Sequence, residues 1–252
     1  MLKYIHSDKN PQVKQWKKLK IRKERDKTGT FLVEGFHLVE EALSRKDDLG
    51  EIILSEKAEL PPGWDYGDIP VTIVTEEISR QLAETETTQG VFAVCRQPDY
   101  LEQDWKTLLL IDSVQDPGNL GTMIRTADAA GIDAVVVGKG SVDIYNPKVL
   151  RSAQGSHFHL PVLAGDLFAW MEQLAAKNIP VYGTALENGV SFTEAEHGTA
   201  FALIVGNEGS GVNKNLLEQT THNLYIPIYG KSESLNVAVA AGILLYFLKT
   251  GK

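Results

Sequence analysis

From residue 107 onward the chain alternates between short runs that are apolar almost throughout and segments long enough for a helix. The runs are TLLLID (107–112), DAVVVG (133–138), HFHLPVL (157–163), PVYGTA (180–185) and FALIVG (201–206), with helices expected near 119–130, near 147–154 and over 166–178. A strand with one wet face alternates apolar and polar residues, whereas a strand apolar throughout needs cover on both faces. The pattern therefore predicts an α/β fold, a parallel sheet sandwiched between helices. Ligands of such sheets bind beyond the carboxyl ends of the strands. That rule singles out three loops: after Ile111, after Val205 and after Ile228.

The first hundred residues read as a separate, smaller α/β unit. A helix is expected over Lys9 to Lys27, with Val13, Trp16, Leu19 and Lys20 on one face. A short strand at Thr30 to Gly35 and an amphipathic helix over 36–45 follow. EIILSE (51–56), PVTIVT (70–75) and GVFAVC (90–95) read as further strands, with a helix around Glu76 to Glu84. The polar stretch RQPDYLEQDW (96–105) marks the boundary. The predicted division is a first domain over 1–98, a linker over 99–106 and a second domain over 107–252.

Charge separates along the same line. Residues 1–30 hold ten Lys or Arg against three Asp or Glu, a net of +7 in a chain whose total is −8. The basic residues concentrate in KQWKKLKIRKERDK (14–27), around Trp16. Segregation of this kind suits a polyanion, and it also suits a solvated helix face. The single cysteine, Cys95, reads as a small apolar strand residue and fits a reducing compartment. No apolar stretch approaches the roughly 18 residues that cross a bilayer, so a cytoplasmic protein without a membrane partner is expected.

The loops hold the candidate chemistry. In DSVQDPGNLGTMIRTADAAG (112–131), Asn119 is placed to cap a helix, and Arg125 stands among small and apolar residues. Arg125 reads either as an ion-pair partner of Asp112 or Asp128 or as a functional cation. VGNEGSG (205–211) lacks the order of a dinucleotide fingerprint and the lysine of a P-loop. Its Glu208 would repel a phosphate, but suits hydroxyl or amino groups, or a cation such as Arg125. In IPIYGKSESLNVAVAAGILLY (226–246), Ser234 and Asn236 sit at a helix start, ahead of an Ala-rich helix able to approach another backbone closely. No His or Cys cluster has metal-ligand spacing; His157 and His159 read as structural.

Taken together, D-x-x-x-D-P-x-N-x-G-x-x-x-R-T-A, V-G-N-E-G-x-G and I-P-I-x-G-x-x-x-S-L-N-V-x-V-A-A-G-I resemble the motifs of the SpoU/TrmH family of SPOUT RNA ribose 2′-O-methyltransferases. The likeness spans residues 107–248, with Ala238 standing where a serine is common. FLVEGFHLVEEAL (31–43) resembles the L30e-like substrate-binding domain of rRNA-directed members. The resemblance implies a deep trefoil knot at the carboxyl end, a homodimer and S-adenosylmethionine as cofactor. It implies main-chain cofactor contacts around Thr184, Ala185, Gly206, Ile226 and Leu235. Arg125 would act on the RNA, and Asn119, Glu208, Ser234 and Asn236 would position it and the nucleotide, Glu208 countering its charge. Lys17, Lys18, Arg22 and Lys23 then gain weight as RNA contacts. The expected substrate is rRNA, with a guanosine of 23S rRNA as the specific expectation. The alternatives are tRNA and a catalytically silent RNA-binding module of the same fold.

Overall fold

The computed structural model describes residues 2–100 and 103–251, so residues 101–102 of the predicted linker lie outside the described residues. Contacts divide the chain into two units: residues 2–99 with 145–158, and residues 100–144 with 159–251.

The first unit contains β1 (Leu2–Ile5), α1 (Pro11–Lys18), α2 (Arg22–Thr28), β2 (Thr30–Glu34), α3 (Phe36–Leu43), β3 (Leu49–Ser55), β4 (Val71–Val74), α4 (Glu76–Leu82) and β5 (Val91–Arg96). Its sheet runs β1-β4-β3-β5-β2. β1 and β3 lie parallel to β4, and β5 lies antiparallel to β3 and β2. One core gathers Ile5, Val13, Trp16, Ile53, Ile78 and Phe92 under α1 and α4. Cys95 of β5 is buried as well, and burial pushes its thiol pKa upward, as befits a core residue.

The helix expected over 9–27 forms as two. Asn10 caps α1 by accepting from Gln12 N at 2.9 Å, with Pro11 at the first turn where its missing N–H costs nothing. Of the expected face, Val13, Trp16 and Leu19 are buried and Lys20 is half-buried. The chain then turns at Leu19–Ile21, and buried Arg25 donates from Nη1 to the Leu19 carbonyl at 2.6 Å. That bond satisfies a helix-end carbonyl and takes Arg25 out of the exposed basic surface.

The second unit contains β6 (Thr107–Ile111), α5 (Pro117–Ala129) and β7 (Ala134–Gly138). α6 (Pro147–Ala153) follows in the chain but packs in the first unit. Back in the second unit come β8 (Val162–Gly165), α7 (Leu167–Ala176), β9 (Val181–Thr184), β10 (Val190–Ser191), β11 (Phe201–Val205), α8 (Lys214–Leu217), β12 (His222–Tyr225) and α9 (Val237–Thr250). Every strand pairing here is parallel, in the order β10-β12-β9-β11-β6-β7-β8. β6, β7 and β11 are buried at every residue, as uniformly apolar strands require. None of the described helices is long and apolar enough to cross a membrane.

Two expectations change. HFHLPVL is not one strand: residues 156–158 form a 3₁₀ turn, and β8 begins after Pro161, which has no N–H to give a ladder. The helix near 147–154 does form, yet its surroundings belong to the first unit. Tyr145 stacks on Phe31 with centroids 4.4 Å apart, Phe158 lies at 6.3 Å from the same ring, and His37 Nε2 meets the Gln154 carbonyl at 3.1 Å.

Candidate active site

Because the second sheet is wholly parallel, the carboxyl ends of its strands share one edge. The neighbours β12, β9, β11 and β6 send their loops out side by side there. Three of these loops hold the motifs read from the sequence, although the third begins after Tyr225, where β12 ends, three residues before Ile228.

The loop after β6 is fixed from below. Buried Asp112 accepts the Asn213 N–H at 2.7 Å and the Ser113 hydroxyl at 3.0 Å. Ser113 itself adopts φ 58°, a left-handed conformation uncommon outside glycine. The cap of α5 is Asp116, accepting from Asn119 N at 2.8 Å, with Pro117 in the first turn. Asn119 is thus not the cap, and its side chain is released for other bonds.

The loop after β11 folds back tightly. Asn207 and Gly211 exchange backbone hydrogen bonds of 3.0 Å in both directions. Asn207 Oδ1 gathers Gly209 N, Ser210 N and the Ser210 hydroxyl, while its Nδ2 donates to the Ser113 carbonyl at 2.9 Å. A Cβ on Gly206 would run into the backbone of Gly211 and Val212, so this position requires glycine.

Glu208 then ties the loops together. Its carboxylate accepts Gln115 N at 3.2 Å, Asp116 N at 3.1 Å and Asn119 Nδ2 at 3.0 Å. Asn119 Oδ1 accepts in turn from Asn236 Nδ2 at 2.9 Å. Asn236 Oδ1 caps α9 through Ala238 N and Val239 N. One chain of hydrogen bonds therefore runs from the β11 loop through the start of α5 to the start of α9. The small residues of α9 permit this approach: a Cβ on Gly242 would stand 3.4 Å from Thr126 of α5.

Burial alone would push the Glu208 carboxyl pKa up, but the Asn119 amide and the backbone N–H groups outweigh it and hold it below its ordinary value. A depressed carboxyl stabilises the fold fully above its unfolded value and ceases to do so as pH falls through the folded one. Denaturant midpoints measured downward from pH 6 should therefore fall more for the wild type than for Glu208→Gln below the ordinary glutamate value of 4.5. Parallel curves would remove Glu208 as the tie.

Arg125 and Ser234 stand outside this chain. Arg125 is exposed on α5 and has no hydrogen bond or ion pair among the described residues. Neither carboxylate weighed as its partner takes it: Asp128 meets His159 at 2.8 Å, and Asp112 is held as above. Nor does Glu208 pair with it, since its oxygens are turned to the three N–H groups. Ser234 is exposed, and its carbonyl accepts from Ser232 Oγ at 2.8 Å.

Thr184 ends β9 and Ala185 follows it, Gly206 follows β11 and Ile226 follows β12, three adjacent strands; Leu235 is exposed just before α9. In the first unit Lys18, Arg22 and Lys23 are exposed, Arg22 lying 3.7 Å from Asp26, while half-buried Lys17 donates to Gln81. Trp16 is a core residue whose Nε1 donates to Glu51 at 3.2 Å. Sequence reasoning missed Asn207 as the organiser of its loop, although an Asn two residues ahead of a glycine, in Asn207-Glu208-Gly209-Ser210-Gly211, suits an Asx turn.

Comparison with known proteins shows the family of the chain. The profile of the SpoU rRNA Methylase family matches residues 106–246, and that of an MRM3-like substrate binding domain matches residues 10–93. The 23S rRNA (guanosine(2553)-2'-O)-methyltransferase RlmP of Bacillus subtilis (strain 168) is 53% identical over 98% of this chain and 100% of its own length. The AdoMet-bound rRNA methyltransferase from Sinorhizobium meliloti superposes with a TM-score of 0.85 at 27% identity, over 97% of this chain and 96% of the other. The SpoU methyltransferase AviRb from Streptomyces viridochromogenes, in complex with AdoMet, gives 0.81 at 26% identity over 94% and 96%.

Proposed function

We propose, from the premise that this chain belongs to the SpoU rRNA methylase family, that it transfers a methyl group from S-adenosylmethionine to the ribose 2′-hydroxyl of a guanosine in 23S rRNA. The observation that carries this reading is the hydrogen-bonded chain Glu208–Asn119–Asn236, which joins the three motif loops into one site.

The residues fit the cofactor. The edge formed by β9, β11 and β12 offers main chain and a glycine that admits no side chain, with a carboxylate nearby in place of the cations a phosphate would need. Main chain around Thr184, Ala185, Gly206, Ile226 and Leu235 would hold it. When bound, S-adenosylmethionine supplies an electrophilic methyl on a cationic sulfur, which the acidic loop tolerates.

A ribose hydroxyl is a weak nucleophile, so its proton must leave or its developing oxyanion must be stabilised. In our reading Arg125 binds the adjacent phosphate through its guanidinium fork, and the phosphate helps accept the proton. Arginine keeps its own proton too firmly to serve as the base. Its freedom from protein carboxylates leaves it available to RNA. Asn119 and Asn236 hold the starts of α5 and α9 in register, Glu208 clamps the 115–119 segment and Ser234 presents a hydroxyl to the nucleotide.

Three further features belong to the proposal. The trefoil knot is supported by the position of β12, which returns to lie between β10 and β9 inside the sheet. A homodimer is supported by Val239, Ile243 and Tyr246, an exposed apolar stripe at i, i+4 and i+7 along α9. A single-chain mass in sedimentation would count against it. A cytoplasmic location is supported by the likeness to the rRNA methyltransferase of Bacillus subtilis.

The basic stretch supplies affinity that the acidic second unit lacks. Neutralising Lys17, Lys18, Arg22 and Lys23 together should weaken RNA binding, and the slope of log affinity against log salt should shrink by about 0.7 for each phosphate that is no longer neutralised. A filter-binding series across salt reads this directly; an unchanged slope would make the stretch a solvated face.

Nucleoside mass spectrometry of rRNA and tRNA from a strain lacking the gene tests the substrate. Loss of one 2′-O-methylguanosine from 23S rRNA is expected. Loss from tRNA instead would move the substrate class, and intact methylation in both pools would leave an RNA-binding module.

A further inference from the structure

Two large apolar side chains stand out of the sheet edge that holds the site. Tyr229 is 96% exposed and Leu186 is 71% exposed, the two highest values among the exposed large hydrophobic residues described. Both belong to loops leaving neighbouring strands: Leu224 of β12 stands in register with Thr184 of β9, and Ala185 N donates to the Leu224 carbonyl at 3.1 Å. The Tyr229 ring makes no ring contact with any described aromatic residue, and its hydroxyl makes no hydrogen bond among the described residues. After it the loop is polar, Gly230-Lys231-Ser232-Glu233-Ser234, and runs through Leu235 into Asn236, the end of the hydrogen-bonded chain described above. Lys231 is exposed and has no carboxylate partner among the described residues. An aromatic ring left in water, two residues from a lysine without a carboxylate partner and five residues before a site serine, suits a base and its phosphate. Unpaired RNA bases are held by stacking on aromatic side chains, with cations on the backbone beside them.

We propose that Tyr229 is a nucleobase-stacking residue that holds an unpaired base of the RNA next to the ribose being methylated, with Lys231 on the neighbouring phosphate. The inference rests on the methyltransferase reading and adds to it the residue that positions the RNA. The occupant is a nucleobase rather than a second copy of the chain, because the five residues that follow the ring, 230–234, are hydrophilic and include Lys231, unlike the apolar stripe on α9.

The test uses the full chain, S-adenosylmethionine and rRNA from a strain lacking the gene, comparing wild type, Tyr229→Ala, Tyr229→Phe and Lys231→Ala. Wild-type transfer comes first, since without it the methyltransferase reading itself fails. With it, Tyr229→Ala should raise KM for RNA about tenfold, with cofactor affinity in calorimetry unchanged, and Tyr229→Phe, which keeps the ring, should restore KM. Lys231→Ala should weaken binding and lower the salt slope by about 0.7 to 1. An unchanged KM in Tyr229→Ala overturns the proposal. So does a loss of cofactor affinity, which would put the ring in the cofactor site, or a halved mass in sedimentation, which would make it a contact between subunits.

Discussion

Arg125→Ala should lower methyl transfer by about 10³-fold, the upper range for removing a preorganised group that stabilises developing charge. Affinity for S-adenosylmethionine should stay within about twofold, because in this account the guanidinium acts on the RNA side. Folding gives no competing explanation for such a loss. The side chain is exposed and holds no partner among the described residues, so its removal should change stability by no more than about 0.5 kcal/mol. Arg125→Lys keeps the charge and discards the planar fork, and should recover only part of the rate. Calorimetry with cofactor and single-turnover transfer separate the two sides. A large loss of cofactor binding in Arg125→Ala would move the residue into the cofactor site.

Gly206→Ala should be the most damaging single methyl group in the second unit. The added carbon meets the backbone of Gly211 and Val212, and a backbone cannot swing aside as a side-chain tip can. The loop must then open against the paired Asn207–Gly211 bonds and the Asn207 contact to Ser113. Overpacking of this kind costs about 1–3 kcal/mol, and cofactor affinity should fall at least about tenfold as the turn shifts. Gly209→Ala is the control in the same loop: its Cβ would find only Asn207 Oδ1, at an ordinary 3.6 Å. Urea midpoints and calorimetry for the pair should differ sharply. Equal behaviour would show that the turn has room.

What the sequence revealed follows from how local each determinant is. β6, β7 and β11 are apolar at every position because helices cover both faces, and such runs are visible without any knowledge of partners. β12 is His-Asn-Leu-Tyr with one buried residue, and β1 buries only Ile5, so neither leaves an apolar run to find. The break between α1 and α2 depends on Arg25 reaching the Leu19 carbonyl, a contact no periodicity encodes. α6 was visible as a helix, while β2, the strand it packs on, lies more than a hundred residues away in sequence.

The site divides the same way. Asn119, Glu208 and Asn236 were found through the three motifs together, because each loop alone carries too little pattern. Their mutual bonds came only with the structure, which also moved the α5 cap to Asp116 and so explained why the Asn119 side chain is free to bridge Glu208 and Asn236. The Asp112 and Asn207 contacts, joining residues about a hundred positions apart, had no local signal.

The most direct test of the central claim is transfer of radiolabelled methyl from S-adenosylmethionine by the purified full chain to rRNA and ribosomal particles from a strain lacking the gene, followed by nuclease digestion and nucleoside identification. Label in 2′-O-methylguanosine from 23S rRNA is the predicted result. Label on a base, or no label in either substrate while the protein binds cofactor, would contradict the account.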